Sequence, residues 1–365
     1  MGTIIRDSFG RVLDYVRISI TDRCNFRCMY CMPASGIEWI PHNEIMTYED
    51  ILFLVSVLSN LGVKRIRFTG GEPFVRKGFI DFLHEIHRKH PLIGIAVTTN
   101  GAFLERDASA ISALALHSVN VSLDTLDPGK FSEITRTGDL SRVLRGIDSL
   151  VASGEVPVKV NTVVMRDFNL VEIPSLARFA AEKSVLLRFI EFMPLDKDVW
   201  SKMQYVPASE ILSLLPEATQ WSPCNKNLRA SESLDPGIPN GPAKYFRKKD
   251  TGQCIGIISA VSDHFCHTCN RLRITSTGEV RPCLFSNKGV PIIDALRRHD
   301  PDATREGILK AVTQKPHEGG TGIPGEKQAP KVDQHSSITC FNREKSPRNG
   351  AENFTEERHM SRIGG

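Results

Sequence analysis

Six short β-rich runs, each followed by a stretch of helical period, constrain the fold of this chain more than any other feature. The runs are Tyr15 to Ile20, Arg65 to Phe68, Ile93 to Thr98, Ser118 to Leu123, Val158 to Val164 and Leu186 to Phe192. Between them the apolar residues change from strand period to helix period. Thr47 with Asp50 three residues on makes an approximate capping box, and Ile51, Leu54, Val55 and Leu58 then fall on one helical face. Phe79, Phe82, Leu83 and Ile86 repeat the i, i+3, i+4, i+7 spacing in the next helix. Six βα units in succession imply a parallel sheet, either curved as a partial barrel or open and doubly wound. In both architectures the functional site lies at the carboxyl ends of the strands.

Polar residues stand where those strands should end. Cys24 follows the first strand, Gly70-Gly71-Glu72-Pro73 the second and Thr98-Thr99-Asn100-Gly101 the third. Ser122-Leu123-Asp124 ends the fourth, Lys159 and Asn161 lie on the fifth, and Glu191 and Met193 close the sixth. Any one of them reads as a turn or cap residue, but together they converge on one end of the sheet. Gly70-Gly71 would let a ligand approach the backbone closely, as binding the polar end of a small molecule requires.

The chemistry of that end is set by Cys24-x3-Cys28-x2-Cys31. Three thiolates packed so closely can hold a soft metal cluster yet cannot complete a four-thiolate site, so one metal position stays open. Structural zinc usually takes four protein ligands in two pairs, and no fourth Cys or His stands at finger spacing; His42 is the nearest. A disulfide framework is not expected. The chain has 9 Cys, an odd number, and Arg6, Asp7, Arg11 and Asp14 interrupt any apolar run near the N-terminus. A second incomplete set, Cys266-x2-Cys269-x13-Cys283, lies in the other half. There Cys254 or His264 could supply a fourth ligand, and spacing alone leaves zinc and a cluster open.

Composition sets wider bounds. The 365 residues allow a large barrel plus an extension, or two domains, and 41% hydrophobic residues are ample for a core. No run of about 18 or more apolar residues occurs, so no membrane span is expected. A formal net charge of +4 is too small to argue for nucleic acid. Beyond residue 200, Pro207 to Leu215 has helical character with Ser209 a possible cap, and Ala243 to Lys248, Cys254 to Ala260 and Leu272 to Leu284 look like antiparallel strands, the last folding at Thr277-Gly278. Leu228 to Pro242 is a Pro/Gly/Ser-rich loop, Asp302 to Val312 can form one helix, and Pro316 to Asn353 reads as a linker. Cys224 fits no ligand pattern, Cys254 fits none beyond that fourth-ligand option, and Cys340 reads as an ordinary free thiol.

The first cysteine set, with Tyr30 before its last Cys and Gly-Gly-Glu-Pro after the second strand, resembles the radical S-adenosylmethionine superfamily. The phrases Arg17-Ile18-Ser19-Ile20-Thr21-Asp22-Arg23-Cys24, Cys269-Asn270-Arg271-Leu272-Arg273 and Arg281-Pro282-Cys283-Leu284-Phe285 narrow this to a resemblance to the GTP 3',8-cyclase family of molybdenum-cofactor biosynthesis, from about residue 11 to about residue 290. The resemblance implies an α/β fold, a (βα)6 partial TIM barrel closed by a small C-terminal antiparallel β extension. It also implies two [4Fe-4S] clusters, one on Cys24, Cys28 and Cys31 and one on Cys266, Cys269 and Cys283. Tyr30, Gly71, Ser122 and Met193 would contact S-adenosyl-L-methionine, and Arg17, Arg67, Thr98, Lys159, Arg271, Leu272 and Arg273 would line a GTP site. The closing Arg358 to Gly365 resembles the family's double-glycine tail, which would place Gly364 and Gly365, with Arg17, Arg271 and Arg273, among the catalytic residues.

The implied organisation is a barrel with the first cluster over residues 1–200, an extension with the second cluster over 201–312, a flexible linker over 313–357 and the tail over 358–365. The partners would be GTP, an unidentified electron donor and the next enzyme of the molybdopterin pathway, in a cytoplasmic homodimer. The alternative is a peptide-modifying radical enzyme with an auxiliary cluster. It would share the first cysteine set and the Gly-Gly-Glu-Pro turn, but nothing in it would require Arg271 and Arg273.

Overall fold

The computed structural model describes residues 4–195, 204–224, 241–286 and 288–319. All six expected strands form: β1 (Tyr15–Ser19), β2 (Arg65–Thr69), β3 (Gly94–Thr99), β4 (Ser118–Ser122), β5 (Val158–Val164) and β6 (Leu186–Glu191). The extension adds β7 (Trp221–Pro223), β8 (Lys244–Lys248), β9 (Cys254–Ile258), β10 (Arg271–Ile274), β11 (Glu279–Arg281) and β12 (Val290–Pro291). Among the described residues these make one sheet in the order β12-β11-β10-β1-β2-β3-β4-β5-β6-β9-β8-β7. The six barrel strands run parallel.

The extension grows on both edges of the barrel. β10 joins β1 and β9 joins β6, each in parallel. Antiparallel pairing is confined to the outer strands, β10 with β11 and β12 on one side and β9 with β8 and β7 on the other. The antiparallel strands read from the sequence are therefore present, as hairpins hung on a parallel core, and Thr277-Gly278 is the turn between β10 and β11.

Register explains how the sheet divides its two faces. Val16, Ile66, Ile95, Val119, Val158, Leu187 and Ile255 sit on one face, and Ile18, Phe68, Val97, Val121 and Val160 extend it. All are buried in the main hydrophobic core. The helices cover this face, for example with Phe79, Phe82, Leu83 and Ile86 of helix Phe79–Lys89. Residues between them point the other way, since side chains alternate along a strand. That second face carries Arg271, Arg273, Tyr15, Arg17, Arg67, Thr98, Asn120, Lys159, Asn161 and Arg188, an unusually polar interior for a parallel sheet.

Capping follows the sequence at helix Tyr48–Asn60, where Thr47 and Asp50 form the reciprocal box, and Asp300 caps helix Pro301–Thr313. Ser209 is not a cap. Pro207 holds the cap position of helix Ala208–Ser213, and the Ala208 N–H donates instead to the Glu191 carboxylate at 2.7 Å. That fully buried carboxylate at the end of β6 also accepts from the backbone N–H groups of Val261 and Ser262, at 2.7 and 2.9 Å, and from the Ser262 hydroxyl. One side chain thus ties the barrel to two segments of the extension.

No described helix is long and apolar enough to cross a membrane. Cys340, Gly364 and Gly365 lie outside the described residues, as does nearly all of the loop Leu228 to Pro242. Removing the Glu191 carboxylate takes the shared acceptor from several partly buried donors at once, so Glu191→Ala should lower unfolding free energy by about 2–3 kcal/mol, read from denaturant midpoints. An unchanged midpoint would show that the clamp is replaceable.

Candidate active site

The first cysteine loop leaves β1 and is fixed from below by the turn after β2. The Gly71 N–H donates to Thr21 O at 2.9 Å and the Glu72 N–H to Arg23 O at 2.8 Å. A Cβ on Gly71 would lie 2.3 Å from Arg23 O, and one on Gly70 2.5 Å from Thr21 O. The two glycines are thus required by the close approach of the chain's own cysteine loop, rather than by a ligand alone as their sequence context suggests. Glu72 is fully buried and accepts from Phe74 N, Thr99 Oγ1 and Asn100 N at 2.7 to 3.1 Å. Burial pushes its carboxyl up to about 7 against those hydrogen bonds.

The thiols sit at the end of the sheet with few polar neighbours. Cys24 Sγ accepts from Phe26 N at 3.4 Å and from Asn100 Nδ2 at 3.8 Å. Burial raises the Cys24 thiol to about 11, and burial, then Cys31, drives Cys28 well above its ordinary range. Tyr30 is held across the loop by a 2.8 Å hydrogen bond to Asp124 Oδ2, whose other oxygen accepts from Val163 N. Ser122 ends β4 and Met193 lies two residues past β6, so both stand at the carboxyl end with Tyr30 and Gly71.

The polar face carries the cations. Arg273, Arg17 and Arg67 are direct partners across three adjacent strands, and Arg271 is opposite Tyr15 one step away. Thr98, Asn120 and Lys159 form a second cross-strand row. Arg67, Lys159 and Arg273 are buried. The Arg67 guanidinium donates to the Tyr15 hydroxyl, Val97 O, Thr98 Oγ1 and Ser118 Oγ. Burial alone would raise the Tyr15 phenol, but Arg67 and Arg17 outweigh it and bring it down to about 8. Burial, then Arg271, lowers Arg273 to about 10.

Two expectations are refined. Leu272 is buried in register with Val16 on the apolar face, so its side chain is turned away from the cations. Arg188, absent from the sequence-derived set, is buried on the polar face and donates to Asn161 Oδ1 at 3.0 Å. Its signal was available: it alternates with Leu187 and Phe189 on β6.

The second cysteine set borders the same face. Cys266 and Cys269 flank a single helical turn just before β10, and Cys283 follows β11. Gly319 N donates to Cys266 Sγ at 3.3 Å, and a Cβ there would meet Cys283 Sγ at 3.1 Å. Burial would raise Cys269, but Arg271 and Lys315 outweigh it and bring the thiol down to about 6. Both sets fit an iron–sulfur cluster: three cysteines on short loops, with N–H donors aimed at sulfur and, at the second, a cradle that a glycine keeps open.

Family models match consecutively along the chain, the radical SAM superfamily over residues 18–180 and molybdenum cofactor synthesis C over residues 185–320. A GTP 3',8-cyclase from Pelotomaculum thermopropionicum is 40% identical, covering 86% of this chain and 94% of the relative. Those from Geobacter sulfurreducens and Thermodesulfovibrio yellowstonii are 40% and 41% identical over similar shares, 86% of this chain and 93% or 94% of theirs. This chain belongs to the GTP 3',8-cyclase family. Family membership brings S-adenosylmethionine and iron–sulfur chemistry to this chain. In overall fold the cyclase chain resembles AdoMet-bound anSMEcpe, with a TM-score of 0.52 and 18% identity over 82% of this chain and 81% of that one. It also resembles Streptococcus suis SuiB bound to its precursor peptide, with a TM-score of 0.55 and 13% identity over 83% and 68%.

Gly71→Ala tests the first loop. The added methyl cannot avoid Arg23 O, so the variant should retain clearly less iron than the parent after anaerobic reconstitution while keeping iron at the second cysteine set. Full iron retention would mean the loop tolerates displacement.

Proposed function

We propose that this enzyme converts GTP to (8S)-3',8-cyclo-7,8-dihydroguanosine 5'-triphosphate, the first step of molybdenum-cofactor biosynthesis, using the residues described above. The observation that carries the site assignment is the in-register run Arg273, Arg17, Arg67 on the polar face. Like charges directly opposite one another destabilise a sheet. A triphosphate repays that arrangement, because guanidinium groups grip phosphate oxygens in bidentate geometry. A peptide-modifying radical enzyme could use the same scaffold but has no need of adjoining arginines.

Cys24, Cys28 and Cys31 would hold one [4Fe-4S] cluster, with Tyr30, Gly71, Ser122 and Met193 around S-adenosylmethionine. Cys266, Cys269 and Cys283 would hold the other, where guanine binds. When bound, S-adenosylmethionine and the clusters would supply the radical chemistry that removes a hydrogen atom from ribose C3' and lets C3' bond to C8 of guanine, with one electron from the external donor and one proton completing the 7,8-dihydro ring. The chain's own residues position and shield. Arg17, Arg67, Lys159, Arg271 and Arg273, joined by Arg188, neutralise the triphosphate, and Thr98 adds a hydroxyl. Fixing both ends of the nucleotide sets the ribose between the two cysteine sets, which is how positioning lowers a barrier. Burial of the polar face keeps water from a reactive radical.

The barrel would span residues 1–200 and the extension 201–312, followed by a connecting segment over 313–357 and a tail over 358–365 whose Gly364 and Gly365 reach the site. An unidentified one-electron donor, the next enzyme of the pathway, a homodimeric assembly and a cytoplasmic location complete the reading.

Anaerobic incubation with GTP, S-adenosylmethionine and dithionite tests it in one experiment. Reconstituted protein should hold about 8 iron atoms per chain and form the cyclised nucleotide; a chain lacking Gly364 and Gly365 should keep its iron and form less. Absence of any nucleotide product would sink the reading, and about 4 iron atoms with one zinc would refute the second cluster.

A further inference from the structure

The second cysteine set is held by a residue that neither its spacing nor the GTP site explains. Lys315 lies two residues beyond helix Pro301–Thr313 and is only 4% exposed. Its ammonium donates to Arg271 O and Pro282 O, both at 2.8 Å, and to Cys269 Sγ at 3.6 Å. An ammonium has three donors, and all three are used.

The placement matters because of where the β10–β11 ladder stops. Its pairs are Ile274 with Val280 and Arg273 with Arg281. Cys269 and Cys283 both lie past the last rung, on chain ends that no ladder hydrogen bond holds together. Lys315 bridges them, since Arg271 O belongs to the segment that carries Cys269 and Pro282 O immediately precedes Cys283. The segment around it is tied down as well. Arg11, paired with Asp7, donates to Cys266 O at 2.6 Å and to Pro316 O and His317 O at 2.7 and 3.1 Å. The described start of the expected linker therefore packs over the second cysteine set.

We propose that Lys315 is a positioning residue for the second cluster: it fixes the two ligand-bearing segments relative to each other and offers a charged N–H to the Cys269 thiolate. The proposal rests on the reading that Cys266, Cys269 and Cys283 hold a cluster. Charged donors beyond the ligands orient them and strengthen retention, and hydrogen bonds to cluster sulfurs raise the reduction potential because reduction adds negative charge.

The test uses the full chain with Cys24, Cys28 and Cys31 replaced by Ala, so that bound iron reports the second set alone. Two quantities are measured in this parent and in its Lys315→Met and Lys315→Arg derivatives: the rate of iron loss to a chelator, and the midpoint potential from an EPR-monitored titration. Lys315→Met should lose iron roughly tenfold faster or more and titrate at a more negative potential, with Lys315→Arg restoring part of both. Lys315→Gln, neutral but still a donor, makes the same comparison if the methionine variant does not fold. A neutral variant with unchanged potential and iron loss overturns the role of Lys315. A parent that binds no iron overturns the cluster reading itself, and the proposal with it.

Discussion

Three arginines side by side in a buried parallel sheet are the constraint around which this structure is organised. Neighbouring strands lie about 4.8 Å apart, so Arg273, Arg17 and Arg67 hold like charges together where water cannot screen them well. The fold tolerates this because the opposite face of the same strands is continuous hydrocarbon, from Val16 and Ile66 to Leu187 and Ile255. Hydrogen bonds then spread the charge: Arg67 reaches Tyr15, Val97 and Ser118 on other strands. The row is completed only when β10, about 250 residues after β1, pairs beside it. Assembly of the extension and completion of the arginine row are therefore one event.

One thiol sets the second cysteine set apart from the first, since burial raises Cys266 as it raises Cys24. At the first, burial dominates, raising Cys24 to about 11 and Cys28 well above its ordinary range. Metal loading there must drive proton release, as thiolate ligation does. At the second, Arg271 and Lys315 overcome burial and hold Cys269 near 6, so that thiolate is available before any metal arrives. Arg271 on the polar face and Lys315 behind the cysteine loops thus act on one thiol from two sides of the fold.

The barrel was largely legible in the sequence because alternation is a local signal. β5 matches its expected bounds and the other five strands differ by about a residue at their ends. Inward arginines were legible at positions 17, 67, 271 and 273 through resemblance alone. Arg188 escaped because one arginine in an apolar run resembles a surface residue until register places it beside Asn161. The parallel addition of β9 and β10 to opposite edges was not readable, since it depends on contacts between distant parts of the chain. Gly70 and Gly71 were correctly singled out for close approach, yet the partner was backbone from the preceding loop. Lys315 left no local trace, because its two shortest bonds go to carbonyls that any sequence would present and its third partner, Cys269, lies 46 residues away.

An arginine row kept for a triphosphate should weaken the nucleotide-free fold. Arg17, at its centre, is the place to measure this. In reconstituted Arg17→Leu protein, GTP affinity from equilibrium dialysis should fall at least about tenfold, as loss of one partner in a buried charge contact implies. The unfolding free energy of the nucleotide-free protein should be unchanged or higher by up to about 1 kcal/mol, since a like-charge pair on each side has been relieved. Undiminished GTP affinity, or a nucleotide-free protein destabilised by several kcal/mol, would show that the row holds the sheet rather than the substrate.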